Sequence, residues 1–184
     1  MRIFCRLLLP MLLFATGFVS CGEKAKIKKT MEVFMASHIV FPNNLQCIYN
    51  NQVSQIQIDS LKSRKLVVYY DSLDCSSCRV SHLMDIYPLY GMSDTCDFSV
   101  ITIFSPRERD LTELMIQIKV LNPSIPIYID VDGSFRRQNQ CIPNDKRFNT
   151  FLLDENNIPI FIGNPLASKK LKELFRRVLD NQIH

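Results

Sequence analysis

Leu66-Val67-Val68-Tyr69-Tyr70 is an apolar run with no polar alternation, and the segments Phe98 to Phe104 and Ile125 to Val131 are nearly as apolar. Strands of that composition are buried on both faces, so they require helices above and below a sheet. The intervening segments supply those helices. Val80, Leu83, Met84, Tyr87 and Tyr90 fall on one helical face, with Pro88 expected to kink or shorten the end. Glu108 to Leu121 places Leu111, Leu114, Met115, Ile118 and Leu121 inward, and Ala167 to Asn181 does the same with Leu171, Leu174, Phe175, Val178 and Leu179. Between them, Asn149 to Asp154 and Ile158 to Ile162 read as an antiparallel pair across Glu155-Asn156-Asn157. This order implies an α/β fold with a mixed sheet, parallel in the middle, and helices on both faces.

Three further elements are expected around this frame. Lys28 to His38 has weak helical character and stops before Pro42. Leu45 to Tyr49 and Val53 to Asp59 form a hairpin about Asn50-Asn51. A short helix, Ser134 to about Gln140, follows the Asp132-Gly133 turn.

The chain opens with Arg2 and Arg6, an apolar stretch from Leu7 to Phe14 interrupted by Pro10, and Phe18-Val19-Ser20-Cys21. That is the form of a bacterial secretion signal, too short for a settled transmembrane helix. Its last four residues resemble a lipobox, in which Cys21 receives the lipid; an ordinary cleaved signal is the alternative. The implied organisation is a lipoprotein signal peptide over 1–20, a tether and N-terminal extension over 21–38, and the folded domain over 39–184. Gly22 to Lys29, polar and rich in lysine, is the expected tether. The expected location is the bacterial cell envelope, facing the periplasm or the surface.

Without Arg2 and Arg6, the 22 basic residues fall to 20 against 18 acidic ones. No basic stripe remains that would suit nucleic acid. Export gives the cysteines an oxidising setting. Beyond Cys21 the chain carries Cys47, Cys75, Cys78, Cys96 and Cys141, an odd set that leaves at least one thiol unpaired within the chain.

Cys75-Ser76-Ser77-Cys78 lies between the first apolar strand and a helical segment. A cysteine at the first turn of a helix faces unpaired N–H groups and the positive end of the macrodipole, which favour thiolate. Cys75 is therefore the expected nucleophile, with Cys78 one turn on to resolve the mixed disulfide. Arg79 would assist ionisation, while Asp71 and Asp74 would oppose it. The exchange needs no bound cofactor or metal. A permanent disulfide at the helix start is the plainer alternative, and zinc on Cys75 and Cys78 with His82 or Cys141 is another. Cys141 is a possible third redox thiol or a small apolar core residue. Cys47 and Cys96 either pair or stay reduced.

With these residues in view, the chain resembles the thioredoxin-fold superfamily, and within it the redoxin-like envelope lipoproteins related to TlpA. The strand leading into Cys75-Ser76-Ser77-Cys78 carries the resemblance, together with Asp130-Val131-Asp132-Gly133-Ser134-Phe135 and Asn149-Thr150-Phe151-Leu152-Leu153-Asp154 before a strand ending in Gly163. It implies a three-layer α/β/α fold with a mixed central sheet, extended here by the N-terminal β-hairpin. It further implies a membrane-anchored thiol–disulfide oxidoreductase acting on exported proteins and served by a membrane redox partner, with Phe148 and Asn149 at the substrate groove. In such proteins a cis-proline precedes the last block, where this chain has Phe148; Asp74 replaces the usual tryptophan, and Tyr69 occupies the position of a buried carboxylate. Those departures leave a second function open, a non-catalytic thioredoxin-fold lipoprotein acting as a binding module.

Overall fold

The computed structural model describes residues 22–54, 58, 61, 64–71, 80 and 83–181. Seven strands form one sheet in the order β2-β1-β5-β4-β3-β6-β7. They are β1 (Gln46–Tyr49), β2 (Gln52–Ser54), β3 (Lys65–Tyr70), β4 (Ser99–Phe104), β5 (Ile127–Ile129), β6 (Thr150–Leu153) and β7 (Pro159–Ile162). β3, β4 and β5 run parallel, with Val67 opposite Ile101 and Ile103 opposite Tyr128; every other pairing is antiparallel. Among the described residues, helices α1 (22–35), α2 (Tyr87–Thr95), α3 (Glu108–Leu121), α4 (Ser134–Gln138) and α5 (Lys169–Asn181) cover the sheet.

The sheet's pleat divides the interior into two cores. Leu66 and Val68 join Val100, Phe104, Ile127, Ile129 and Leu152 on the face covered by α2, α3 and α5. Their sequence neighbours Val67 and Tyr69 join Ile101, Ile103, Tyr128, Phe151 and Leu153 on the face covered by α1 and α4. Period-2 alternation between two apolar faces is why β3 and β4 show no polar residue pattern. This is a thioredoxin-like three-layer α/β/α fold, with the β1–β2 hairpin added beyond β5.

Local chemistry sets the element ends. Asn50 and Asn51 both have positive φ, 49° and 57°, the pair of left-handed residues that a two-residue hairpin requires. Pro88 starts a new helix rather than kinking one: a 3₁₀ turn, Leu83–Ile86, gives way to α2 with proline in its first turn. β5 is shorter than the expected Ile125 to Val131, because Pro126 has no N–H to donate to the sheet. Met84, Leu121 and Leu174, expected inward, are exposed. The observed apolar stripes are narrower than the sequence patterns: Leu83, Ile86 and Leu89 face the core around α2, Leu114 and Ile118 on α3, and Phe175 and Leu179 on α5.

The expected tether is corrected most. Residues 22–29 form the first two turns of α1. Glu23, Lys24, Ala25, Lys26, Lys28 and Lys29 are all good helix formers, and Ile27 lies seven residues before the fully buried Phe34 on the inward side. The edge of Phe34 meets Phe148 at 6.0 Å and Phe151 at 5.2 Å between ring centroids.

The far end of the sheet is tied by Arg64, buried just before β3. Its Nη1 donates to the Leu179 carbonyl at 2.9 Å, and its Nη2 lies 3.4 Å from Asp97 Oδ2. The last carbonyls of a helix have no intrahelical partner and carry partial negative charge, so a cation there satisfies both needs. Arg64→Ala should lower stability by about 2 kcal/mol, read as a fall in the urea midpoint with an unchanged slope.

Candidate functional site

The carboxyl ends of β3, β4 and β5 lie side by side, where open α/β sheets present their sites. Main-chain bonds extend the strands past their last paired residues. Ser105 donates to the Tyr70 carbonyl at 2.9 Å, and Asp130 donates to the Phe104 carbonyl at 2.8 Å. β3 therefore delivers Tyr69, Tyr70 and Asp71 to this edge. Cys75, Cys78, Arg79, His82 and Asp74 lie outside the described residues, as does Cys21. Residues on both sides of the Cys-Ser-Ser-Cys stretch are described: β3 ends at Tyr70, and Val80 and Leu83 are buried in the core under α2.

On that core's side an open depression of about 210 Å³ is lined by Tyr70, Ile86, Lys146, Asn149, Thr150 and Asn164, among others. The Asn149 carbonyl, 2.8 Å from the Tyr69 N–H that donates to it, fixes the loop before β6 against the end of β3. Of the two groove residues expected, Asn149 lines this depression. Phe148 does not: its side chain is 3% exposed and sits in the opposite core with Phe34 and Phe151. A 3₁₀ turn, Lys146–Phe148, directs the ring inward, capped by Asp145, whose carboxylate accepts from the Arg147 N–H at 3.0 Å. No cis peptide bond occurs among the described residues.

Beneath the strand ends lies a polar cluster. Asp130 is buried and accepts from Ser105 Oγ at 3.0 Å, Ser134 Oγ at 3.0 Å and the Phe135 N–H at 3.1 Å. Burial outweighs these bonds and raises its carboxyl above the ordinary 3.8. Asp132 is opposite in sign: bonds from Ser134 first hold its carboxyl down at about 2. Arg136 stands 4.0 Å from Asp71 across the cluster. Burial, then the Asp71 charge, pushes the Tyr69 phenol up to about 12, and Ser105 stands near without completing a hydrogen bond. The Tyr69 hydroxyl is thus a buried, neutral group at ordinary pH.

The sign of Asp130's contribution follows from its raised pKa. Below 3.8 the proton is bound whether the chain is folded or not, and the contribution is fully present; it is lost as pH rises through the raised folded value. The parent should therefore lose stability relative to Asp130→Asn over that rise in pH. Urea unfolding of both proteins across the acid range reads this difference directly, and a flat difference contradicts it.

Cys141 lies on another surface. It is partly exposed, packs against the α1-face core, and lines a depression with Lys26, Lys29, Thr30, Val33 and Pro143. Val80 and Leu83 belong to the core on the opposite face. The sheet thus lies between Cys141 and the pair Val80 and Leu83, while Asp71, the last described residue before the dithiol, faces Arg136 of α4. Cys47 is a free thiol as well. Cys47 is fully buried, and burial pushes its thiol up. Among the described residues no group of three or more His, Cys, Asp or Glu is placed to hold a metal ion.

Sequence reasoning placed Asp130 at the end of a strand, before the Asp132-Gly133 turn, and overlooked Arg64, Asn139 and Lys146. Asn139 is buried, accepts from the Val40 N–H at 2.8 Å and donates to the carbonyls of Val40 and Phe135 at 2.8 and 2.7 Å.

No protein-family model matches the chain, and no curated protein matches it by sequence. Solved structures do. A thioredoxin-like protein from Porphyromonas gingivalis is 13% identical over 80% of this chain and 96% of its own, with a TM-score of 0.46. A putative protein disulfide isomerase from Bacteroides thetaiotaomicron is 14% identical over 78% and 89%, with a TM-score of 0.49. The thioredoxin domain of a thiol–disulfide oxidoreductase from Bacteroides vulgatus is 14% identical over 76% and 99%, with a TM-score of 0.44. The fold assignment rests on strand order, direction and the two cores; these likenesses carry no argument about chemistry.

Proposed function

We propose that the protein is a thiol–disulfide oxidoreductase of the cell envelope, anchored by a lipid on Cys21 and working through Cys75 and Cys78. One observation carries this reading. The Cys-Ser-Ser-Cys sequence begins five residues after Tyr70, which ends the parallel strand β3, and precedes the core-anchored Val80 and Leu83. The carboxyl ends of parallel strands are where such sheets present their sites, and the depression lined by Asn149 and Thr150 opens against Tyr70 at that end of β3.

In the exchange, the Cys75 thiolate attacks one sulfur of a substrate disulfide, forming a mixed disulfide and releasing the other sulfur as thiolate. Cys78 then displaces the substrate from Cys75, leaving the protein's own disulfide and a reduced substrate; the reverse sequence oxidises a dithiol. The substrates are exported proteins carrying thiols or disulfides, and a membrane redox partner resets the pair. Insulin-disulfide reduction by the parent and by Cys75→Ser tests the assignment.

Phe148 favours a second reading. Phe148, two residues before β6, is an aromatic core residue, so the rim of the depression is built without the proline of related redoxins. A binding module with ordinary, slow thiols is the alternative function. The pH dependence of thiol alkylation separates the two, since an exchanger has one fast, acidic thiol and a module has none.

A further inference from the structure

α1 is helical from residue 22, the first described residue, and carries Lys24, Lys26, Lys28 and Lys29 against Glu23 and Glu32. Apart from Phe34 and the half-buried Ile27 and Thr30, the helix is open to solvent. Between α1 and the connection after α4 lies an open depression of about 310 Å³. Val33, 60% exposed, Pro143 and Cys141 give it apolar walls, and the side chains of Lys26 and Lys29, both exposed, border it. Apolar walls beside paired cations complement an anionic amphiphile where its headgroup meets its acyl chains.

We propose that α1 and this depression dock the protein onto an anionic bilayer, one lipid phosphate lying between Lys26 and Lys29 and its upper acyl carbons against Val33 and Pro143. The chain offers a rival basic surface, Lys169, Lys170, Lys172, Arg176 and Arg177 on α5. The fold puts the two apart. Phe175 and Leu179 hold α5 on one face of the sheet, and Phe34 holds α1 on the other, so one flat membrane does not contact both. Position favours α1. At 1.5 Å per residue, Lys24 to Lys29 lie within about 12 Å of the helix start, close to one Debye length from an anchored residue 21. The orientation, though not the depression itself, rests on the lipid at Cys21 of the proposed function.

The test uses the chain from Gly22 to His184, since every described contact lies within it and the result is then independent of Cys21. Palmitate incorporation into the full chain examines the anchor separately. The protein is sedimented with vesicles of phosphatidylglycerol and phosphatidylcholine in equal parts, and with phosphatidylcholine alone. Binding to the anionic vesicles should exceed binding to the neutral ones by about tenfold or more and weaken with salt. Lys26→Gln with Lys29→Gln should reduce it about tenfold, and Lys169→Gln with Lys170→Gln should leave it unchanged. Peptide-resolved maleimide labelling should show Cys141 slowed severalfold by anionic vesicles and unaffected by phosphatidylcholine vesicles. Equal binding to both vesicle types, loss of binding through the α5 pair alone, or undiminished labelling of Cys141 overturns the proposal.

Discussion

Cys75→Ser should remove insulin-disulfide reduction, by about a thousandfold or down to background, because no other group in the chain is expected to replace the attacking sulfur. Cys78→Ser should behave differently. The first attack still occurs, but nothing displaces the substrate, so the variant accumulates a mixed disulfide with its substrate and then stops. Cys141→Ser should retain most turnover, since the fold places that residue on the α1 side with Lys26 and Pro143. Turnover unchanged in Cys75→Ser excludes the oxidoreductase and leaves the binding module. Turnover lost equally in Cys141→Ser would instead bring the third thiol into the exchange. Non-reducing gels of the three variants, run beside the activity assay, separate these results.

Elements whose burial is one-dimensional were the legible ones. β3, β4 and β6 lie in the middle of the sheet, so each needs only to be apolar throughout, and a composition scan finds that. α3 matched its expected span, Glu108–Leu121, because Asn122 with its positive φ of 44° ends it and Glu108 and Asp110 favour its first turn. What the sequence concealed was contact between distant segments. Arg64 meets the last turn of α5 across 115 residues, and Asn139 meets Val40 across 99. Nothing local at either position announces such a partner. α1 was concealed for another reason: lysines spaced through residues 24–29 suit a solvated tether and a surface helix alike, and only Phe34 seated against Phe148 and Phe151 decides between them. Of the candidate site, the dithiol was legible as a motif. The depression beside β3 was legible only at Asn149, because Lys146 and Asn149 close one 3₁₀ turn and Asn164 comes from a separate loop.

Phe148→Pro should destabilise this protein by about 5 kcal/mol, a large share of the 5–15 kcal/mol of a typical domain. Three losses add. The ring leaves a core where it is almost wholly buried between Phe34 and Phe151, and deletion of a buried phenylalanine costs about 3–5 kcal/mol. The Phe148 N–H, which donates to the Asp145 carbonyl at 2.9 Å, is removed, at about 1 kcal/mol. Arg147 is held in the 3₁₀ turn Lys146–Phe148, a conformation that a following proline disfavours. Phe148→Leu keeps the N–H and much of the apolar volume, so it should cost no more than about 2 kcal/mol. Urea unfolding of the two variants measures both values. A proline variant with an unchanged midpoint would mean that the ring is not in the core. The consequence reaches α1, for Phe34 has its edge contacts with these same rings. Phe148 therefore secures the N-terminal helix to the sheet, and the proline variant should loosen α1 from the sheet, read as faster amide exchange in residues 22–35 than in the parent.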